Sequence, residues 1–311
     1  MNQAFCVSVL LLAVALNLAG CSSSSSPKPV TALELSVDST ACEVCNTVRV
    51  TATVHGGDSK AVDWYVNGAF GGQVTTGTVT QTNPTTFTAP EAVPVEPVVQ
   101  IKAVSQEEPS IADSCVVRIA FTTIHVNAAS GNDQTGTGCI THPLKTITHA
   151  LAAAQPNMTV LVAPGLYDAT NGDTFPMNMT GRITLVGESQ TGTIIRTHAN
   201  VYCALIMNGD SPRVRRLTID NGGIADTTRE HVIYVNGDAT GAGIDSLIIP
   251  DRAYLSMIRV AAATNTANTN CQFIAQGTVK SRCFEIVFGD SGTIIRNCLI
   301  SGFIDGIFFN G

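Results

Sequence analysis

The sequence predicts an all-β protein: a small β-sandwich, then a parallel β-solenoid that opens with one short capping helix. Three observations lead there. Charged residues make up 13% and aromatics 5% of the 311 residues, with 27 glycines, a composition that suits short strands and tight turns better than helical bundles. Residues 31 to 122 alternate apolar and polar side chains between turn signals. From Val160 onward, short apolar doublets recur every 23 to 34 residues, the spacing of stacked rungs.

The first 20 residues read as a signal peptide. Val7 to Leu18 is a 12-residue, mostly apolar run, too short to span a bilayer and suited to a signal-peptide core. It ends in Leu18-Ala19-Gly20-Cys21, which resembles the lipobox of bacterial lipoproteins and makes Cys21 the expected lipidation site. Met1 to Cys6 contains no Lys or Arg, so an ordinary cleaved secretory signal is the alternative. Residues 21 to 30, rich in Ser and Pro, form a polar tether of the kind that joins an anchor to a folded body. Ser22 after the cysteine implies, by the sorting pattern of such lipoproteins, the bacterial outer membrane, on its periplasmic or its surface-exposed face. The expected partners are that membrane and a polysaccharide or cell-surface ligand. Nucleic acid is not expected, because the net charge is −7 and no Lys/Arg cluster occurs.

Residues 31 to 122 carry the strand patterns Leu33-x-Leu35-x-Val37, Val48-x-Val50-x-Ala52-x-Val54, Val62-x-Trp64-x-Val66, Val99-x-Ile101-x-Ala103 and Val117-x-Ile119. Gly56-Gly57-Asp58, Asn67-Gly68 and Gly71-Gly72 punctuate them. With Thr86-Phe87-Thr88-Ala89-Pro90 and the closing IKAVSQEEPSIADSCVVRI, the segment resembles bacterial Ig-like domains of cell-surface proteins. The resemblance implies a spacer or adhesion module and a structural role for Trp64. Eight cysteines remain after Cys6 and Cys21, an even number in an exported chain, which allows disulfides. Cys42 or Cys45 is expected to bridge Cys115, with a local Cys42–Cys45 bond as the alternative.

The solenoid is placed at 123 to 311. Asn127, Ser130, Gly131, Asn132 and Asp133 form a polar loop, read as a hydrogen-bonded turn in preference to a calcium loop. Pro143 suits a first helical position, and Leu144, Ile147, Leu151 and Ala154 share one helical face. The doublets Val160/Val162, Ile183/Leu185, Leu217/Ile219, Leu247/Ile249, Cys271/Phe273 and Cys298/Ile300 follow. A second series runs through Leu205–Gly209, Ile233–Gly237, Ile286–Gly289 and Ile307–Gly311. Asn270-Cys271 against Asn297-Cys298 suggests an asparagine ladder at a turn with the cysteines stacked inward.

The opening stretch is specific. His125-Val126-Asn127-x-x-Ser130-Gly131-Asn132-Asp133, Gly136-Thr137, Pro143-Leu144-Lys145-Thr146-Ile147 and Val160-x-Val162-Ala163-Pro164-Gly165-x-Tyr167 resemble the start of the DUF1565 family. That resemblance implies a pectate-lyase-like, right-handed parallel β-helix, with no agreed activity. The chain stops in mid-repeat at Phe308-Phe309-Asn310-Gly311, so the solenoid is expected to be incomplete at its C-terminal end.

No reaction is legible. Glycoside hydrolysis needs two carboxylates on one surface, and uronate β-elimination needs a base with a carboxylate-neutralising group, often Ca²⁺ held by clustered Asp. Asp220, Asp245, Asp251, Glu285, Asp290 and Asp305, and Arg252, Arg259, Lys280, Arg282 and Arg296, lie about one per turn in the sequence, with no repeated cluster. His125, His142, His149, His198 and His231 stand apart, so no metal site is expected. No catalytic residue and no cofactor are assigned; Ca²⁺ enters only under an enzymatic reading. Glycan-contact candidates are Arg213, Arg215 and Arg216, the one basic knot, with Asp220 and Asp245. The expected function is a lipid-anchored surface protein that binds polysaccharide or surface partners without catalysis. A polysaccharide lyase or glycoside hydrolase is the alternative.

Overall fold

The computed structural model describes residues 26–197, 201–220, 231–251, 256–261, 263–275, 282–287, 291–303 and 305–310. The signal peptide and Cys21 lie outside them, as do His198, Arg252, Lys280 and Asp290.

The sandwich is built as the alternation dictates. One five-stranded sheet runs Val30–Val37, Thr47–Gly56, Thr85–Thr88, Gly77–Val79, Gly72–Gln73; the other runs Ala41–Glu43, Ala112–Ala120, Val98–Ser105, Val62–Val66, Ala69–Phe70. The longer strands of both follow the A-B-E-D and G-F-C order of an immunoglobulin-like sandwich. Trp64, Phe87, Val50 and Ile101 are fully buried between the sheets. Gly77 is glycine because its φ is +101° and an added Cβ would sit 2.4 Å from the Phe87 ring.

Beyond residue 122 the described strands pair in parallel, in three sheets. The first solenoid sheet stacks Thr123–Val126, Thr159–Val162, Thr184–Gly187, Arg213–Arg215, Gly243–Asp245, Ala267–Thr269 and Ile294–Arg296. The second stacks Gly165–Tyr167, Thr193–Arg196, Thr218–Asp220, Ile248–Asp251, Gln272–Ala275 and Leu299–Ser301. The third stacks Met177–Thr180, Leu205–Asn208, His231–Val235, Ser256–Ala261, Arg282–Val287 and Asp305–Asn310. The chain visits them in turn, which makes a right-handed parallel β-helix with one apolar core from Ile124 to Phe284.

This topology corrects the repeat. Val160 pairs with Leu185 and Leu185 with Val214, all in the first sheet, whereas Thr218-Ile219, Ile248-Ile249 and Phe273-Ile300 belong to the second. The doublet series therefore changes sheet at its 34-residue interval, because apolar doublets look alike wherever the rung bends. The second series holds to the third sheet but omits Ser256–Ala261, a strand that lacks the Asn/Gly ending of its neighbours.

The corners obey one rule. Arg216, Ser246, Asn270 and Asn297, each just before a second-sheet strand, all have φ between 54° and 57°, the left-handed conformation that Asn tolerates best after Gly. The Asn270–Asn297 ladder is present: Asn297 Nδ2 donates to Asn270 Oδ1 at 3.4 Å, and Asn270 Nδ2 to Asp245 Oδ1 at 2.8 Å.

The helix spans Ile147–Ala153 and buries Ile147, Ala150 and Leu151 on the solenoid end. It starts four residues after Pro143; Leu144 instead continues the core through a bridge to Val126. Thr146 is the cap, its Oγ1 accepting from His149 N at 3.1 Å. Asp133 anchors that cap: it accepts from Lys145 N at 2.7 Å, Thr146 N at 3.1 Å and Thr146 Oγ1 at 2.8 Å. Asn127 and Asn132 each accept from two backbone amides just ahead of them, so the loop is a chain of hydrogen-bonded turns. Gly131 and Gly136 let it close, since a Cβ would lie 2.1 Å from Leu144 O in one and 2.3 Å from Asn132 O in the other. Tyr167, fully buried, donates its hydroxyl to Ala163 O at 2.9 Å.

Candidate functional site

The arginines and aspartates singled out in the sequence do not form one site. Arg213 and Arg215 are exposed on the first solenoid sheet, where Arg215 pairs in register with Asp245. Asp245 is already occupied: Thr269 Oγ1, Asn270 Nδ2 and Ser246 Oγ donate to it at 2.6, 2.8 and 3.0 Å. Burial raises its carboxyl, but these donors outweigh burial and hold it below the usual range. Arg216 sits at the corner, its Nη2 donating to Glu188 O at 2.7 Å. Asp220 is on the second sheet, paired with Arg196 at 3.1 Å.

The third sheet gathers what looked scattered. Ile206, Tyr234, Arg259, Glu285 and Phe308 pair in register from strand to strand. They alternate with the buried residues Ile233, Val235, Ile258, Val260 and Phe284, so the column lies on the outer face, where Ile206, Tyr234, Arg259 and Phe308 are half-buried and Glu285 is buried. A second column, His231–Ser256–Arg282–Asp305, begins the same strands. The His231 ring stacks on Tyr234 at 6.0 Å, Tyr202 meets both rings edge-on at 5.6 and 6.0 Å, and Arg259 lies over Tyr234 at 5.9 Å. Arg259 Nη1 is 3.2 Å from His231 Nε2. Arg282 covers the Phe308 ring at 3.5 Å and lies 3.8 Å from both Glu285 and Asp305.

Burial and the Arg259 guanidinium push His231 down to about 3, so its imidazole is neutral at any physiological pH and Nε2 accepts from Arg259. His231 is thus not isolated, and Arg259, Arg282, Glu285 and Asp305 do cluster. Sequence spacing hid this: the in-register partners are separated by unequal numbers of residues, and the tyrosines carried no motif.

The expected cysteine pairing is replaced by another. Cys45 is bonded to Cys139, 94 residues away, with Cα atoms 6.0 Å apart. Cys42 and Cys115 are free thiols, so neither a Cys115 bridge nor a Cys42–Cys45 bond forms. The bond joins the sandwich to the solenoid, where Glu43 also accepts from Thr122 N at 2.9 Å and Phe121 packs against both cores.

The model of the family "Protein of unknown function (DUF1565)" matches residues 129–311, more than half of the chain. The chain belongs to the DUF1565 family. No curated protein matches it. Among solved structures, this DUF1565 chain is similar to a rhamnogalacturonan lyase, at 12% identity and a TM-score of 0.41 over 61% of this chain and 62% of that one. It is also similar to a pectin methylesterase in complex with a hexasaccharide, at 16% identity and a TM-score of 0.35 over 54% and 56%. The pectin methylesterase PemA from Erwinia chrysanthemi gives 17% and 0.33 over 53% and 54%. The match spans less than two thirds of each of these neighbours.

Proposed function

We propose that this protein is a lipid-anchored protein of the bacterial outer membrane that holds a polysaccharide along the outer face of its third solenoid sheet without cleaving it. One observation carries the reading: the half-buried Tyr234, Arg259 and Phe308 stand in one line on the third sheet, with the buried Glu285 between Arg259 and Phe308, and the exposed Tyr202 meets Tyr234 edge-on. Rungs repeat about every 4.8 Å, so the line is an extended strip rather than a pocket, and it fits an extended chain. Ring faces pack on apolar sugar surfaces, and guanidinium groups pair with carboxylates or hydroxyls.

Binding fits the electrostatics better than catalysis. His231 is too weak a base to take a proton efficiently at neutral pH, because its folded value near 3 lies far below the range that general-base catalysis favours. Both carboxylates of the strip are engaged with Arg282. The sandwich serves as a spacer, with Cys21 as the acylated residue and the Ser/Pro tether between them.

The test is retention of the chain on immobilised polyuronates and neutral glycans, with and without Ca²⁺, followed by reducing ends and unsaturated-product absorbance. Retention without new ends supports the proposal, and product release establishes the enzymatic alternative. Absence of both removes the glycan. Replacing Cys21 with Ser is expected to move the protein from the detergent phase to the aqueous phase; a variant that stays with detergent refutes the anchor.

A further inference from the structure

The junction between sandwich and solenoid holds a set of groups that the glycan reading does not use. Cys45 Sγ, Cys139 Sγ and a ring nitrogen of His142 lie within 4.8 Å of one another. His142 Nδ1 is 3.9 Å from Cys139 Sγ and 3.5 Å from Glu91 Oε1. Cys139 and His142 are spaced C-x-x-H across a tight turn, closed by His142 N donating to Cys139 O at 3.1 Å. Two hydroxyls face the Cys139 sulfur, Thr137 Oγ1 at 3.3 Å and Thr141 Oγ1 at 3.4 Å. Cys45, Glu91 and Thr141 also line one cleft of about 930 Å³ between the sandwich loops and the solenoid turn, so an ion can reach the cluster.

We propose that the dithiol form of this junction binds a zinc-like divalent cation through Cys45, Cys139 and His142, with water as the fourth ligand. Tetrahedral zinc, with bonds of ~2.3 Å to sulfur and ~2.0 Å to nitrogen, puts its ligand atoms about 3.5 to 3.8 Å apart; Cys139 Sγ and His142 Nδ1 already stand 3.9 Å apart, and the two sulfurs, bonded here, must separate on reduction. The protein ligands are two thiolates and one imidazole, two of them in a short turn, as in small zinc sites. The Thr137 and Thr141 hydroxyls donate to the bound thiolate and steady its charge. On binding, each thiol loses its proton to solvent and forms a metal–sulfur bond; no electron moves. Metal and disulfide are then alternative closures of one junction. The disulfide replaces the metal when an oxidant of the disulfide class takes two electrons from the pair, becomes a dithiol and lets the ion go. Zinc spacing is invisible in the sequence, since Cys45 reaches Cys139-x-x-His142 only through the fold.

The experiment uses the full chain in detergent, reduced with a phosphine and titrated with Co²⁺, then with Zn²⁺ against a chromogenic chelator. One equivalent of Co²⁺ is expected to give thiolate charge-transfer bands and tetrahedral d–d bands, both erased by Zn²⁺. Cys45→Ser and Cys139→Ser each lose the charge-transfer signal, and His142→Ala weakens Zn²⁺ tenfold or more. Cys42→Ser and Cys115→Ser leave the titration unchanged, which separates this site from the free thiols. A reduced chain that takes up no ion, or one whose bands survive in Cys45→Ser, overturns the proposal. So does an affinity unmoved by His142→Ala, because it leaves only a dithiol. Far-UV circular dichroism of each variant confirms that it is folded.

Discussion

The outer faces of the first and third solenoid sheets are built by the same rule and end with opposite properties. In both, parallel pairing sets one residue above the next: Arg215, Asp245, Thr269 and Arg296 in the first, Tyr234, Arg259, Glu285 and Phe308 in the third. The first column spends its polarity on itself, since Asp245 takes three donors from its own and the next rung. The third column sets the half-buried Tyr234, Arg259 and Phe308 around the buried Glu285, and Arg259 Nε is buried with no hydrogen-bond partner among the described residues. The same stacking thus yields a self-satisfied polar face in one sheet and a ring-and-guanidinium face in the other.

Acid separates the two faces most strongly. His231 binds its proton near 6.5 in the unfolded chain and near 3 in the folded one, so the unfolded state holds more protons between those values and stability rises with pH across that window. The contribution is whole above about pH 6.5 and is lost as the pH falls toward 3, with an upper size on the order of 5 kcal/mol. Asp245 acts with the same sign at lower pH, because its folded value is depressed. Chemical denaturation between pH 3 and 7 is expected to show a steep acid limb that His231→Gln flattens above pH 4 and Asp245→Asn does not. Equal slopes in wild type and His231→Gln refute the buried neutral imidazole.

Side-chain deletions come next. Asp245→Ala strips Thr269, Asn270 and Ser246 of a shared acceptor and is expected to cost about 2 kcal/mol of stability, read from the denaturant midpoint, while leaving glycan retention alone. Arg259→Ala and Tyr234→Ala reverse that pattern. Each is expected to weaken retention about tenfold, equivalent to ~1.4 kcal/mol, with a smaller change in midpoint. Arg213→Ala and Arg215→Ala, on the first face, should leave retention within about twofold. If the first-face arginines matter more, the ligand lies where the sequence first pointed.

How much of this was legible follows from what each signal depends on. The solenoid was readable because its corners repeat a local demand: Asn270 and Asn297 each occupy a left-handed position before an inward cysteine. The capping loop was readable because Asn132, Asp133, Gly136 and Thr146 act on neighbours only a few residues away. The third-sheet strip was not, because Tyr234, Arg259 and Glu285 meet only through register, and loops of unequal length separate them in the chain. The same holds for Cys45 and Cys139, which belong to different domains. Doublet counting failed at the 34-residue interval for a related reason: Leu185 and Ile219 are equally apolar but lie in different sheets.

The smallest expected effect tests the corner rule itself and separates its two parts. Asn297 holds φ at 54° and donates to Asn270 at 3.4 Å, a long bond near the solvent. Asn297→Gly keeps the left-handed backbone available and loses only that bond, so the expected cost is a few tenths of a kcal/mol, to which glycine's greater freedom in the unfolded chain adds and relief of the left-handed strain subtracts. Asn297→Ala loses the same bond and also places a Cβ in the left-handed region, for about 1 kcal/mol in addition. Alanine worse than glycine by roughly that amount would show that backbone conformation selects asparagine at this corner and that the ladder is its by-product. Equal losses would show the reverse: the side-chain ladder, which continues through Asn270 into Asp245 of the first face, is what the corner is built to hold.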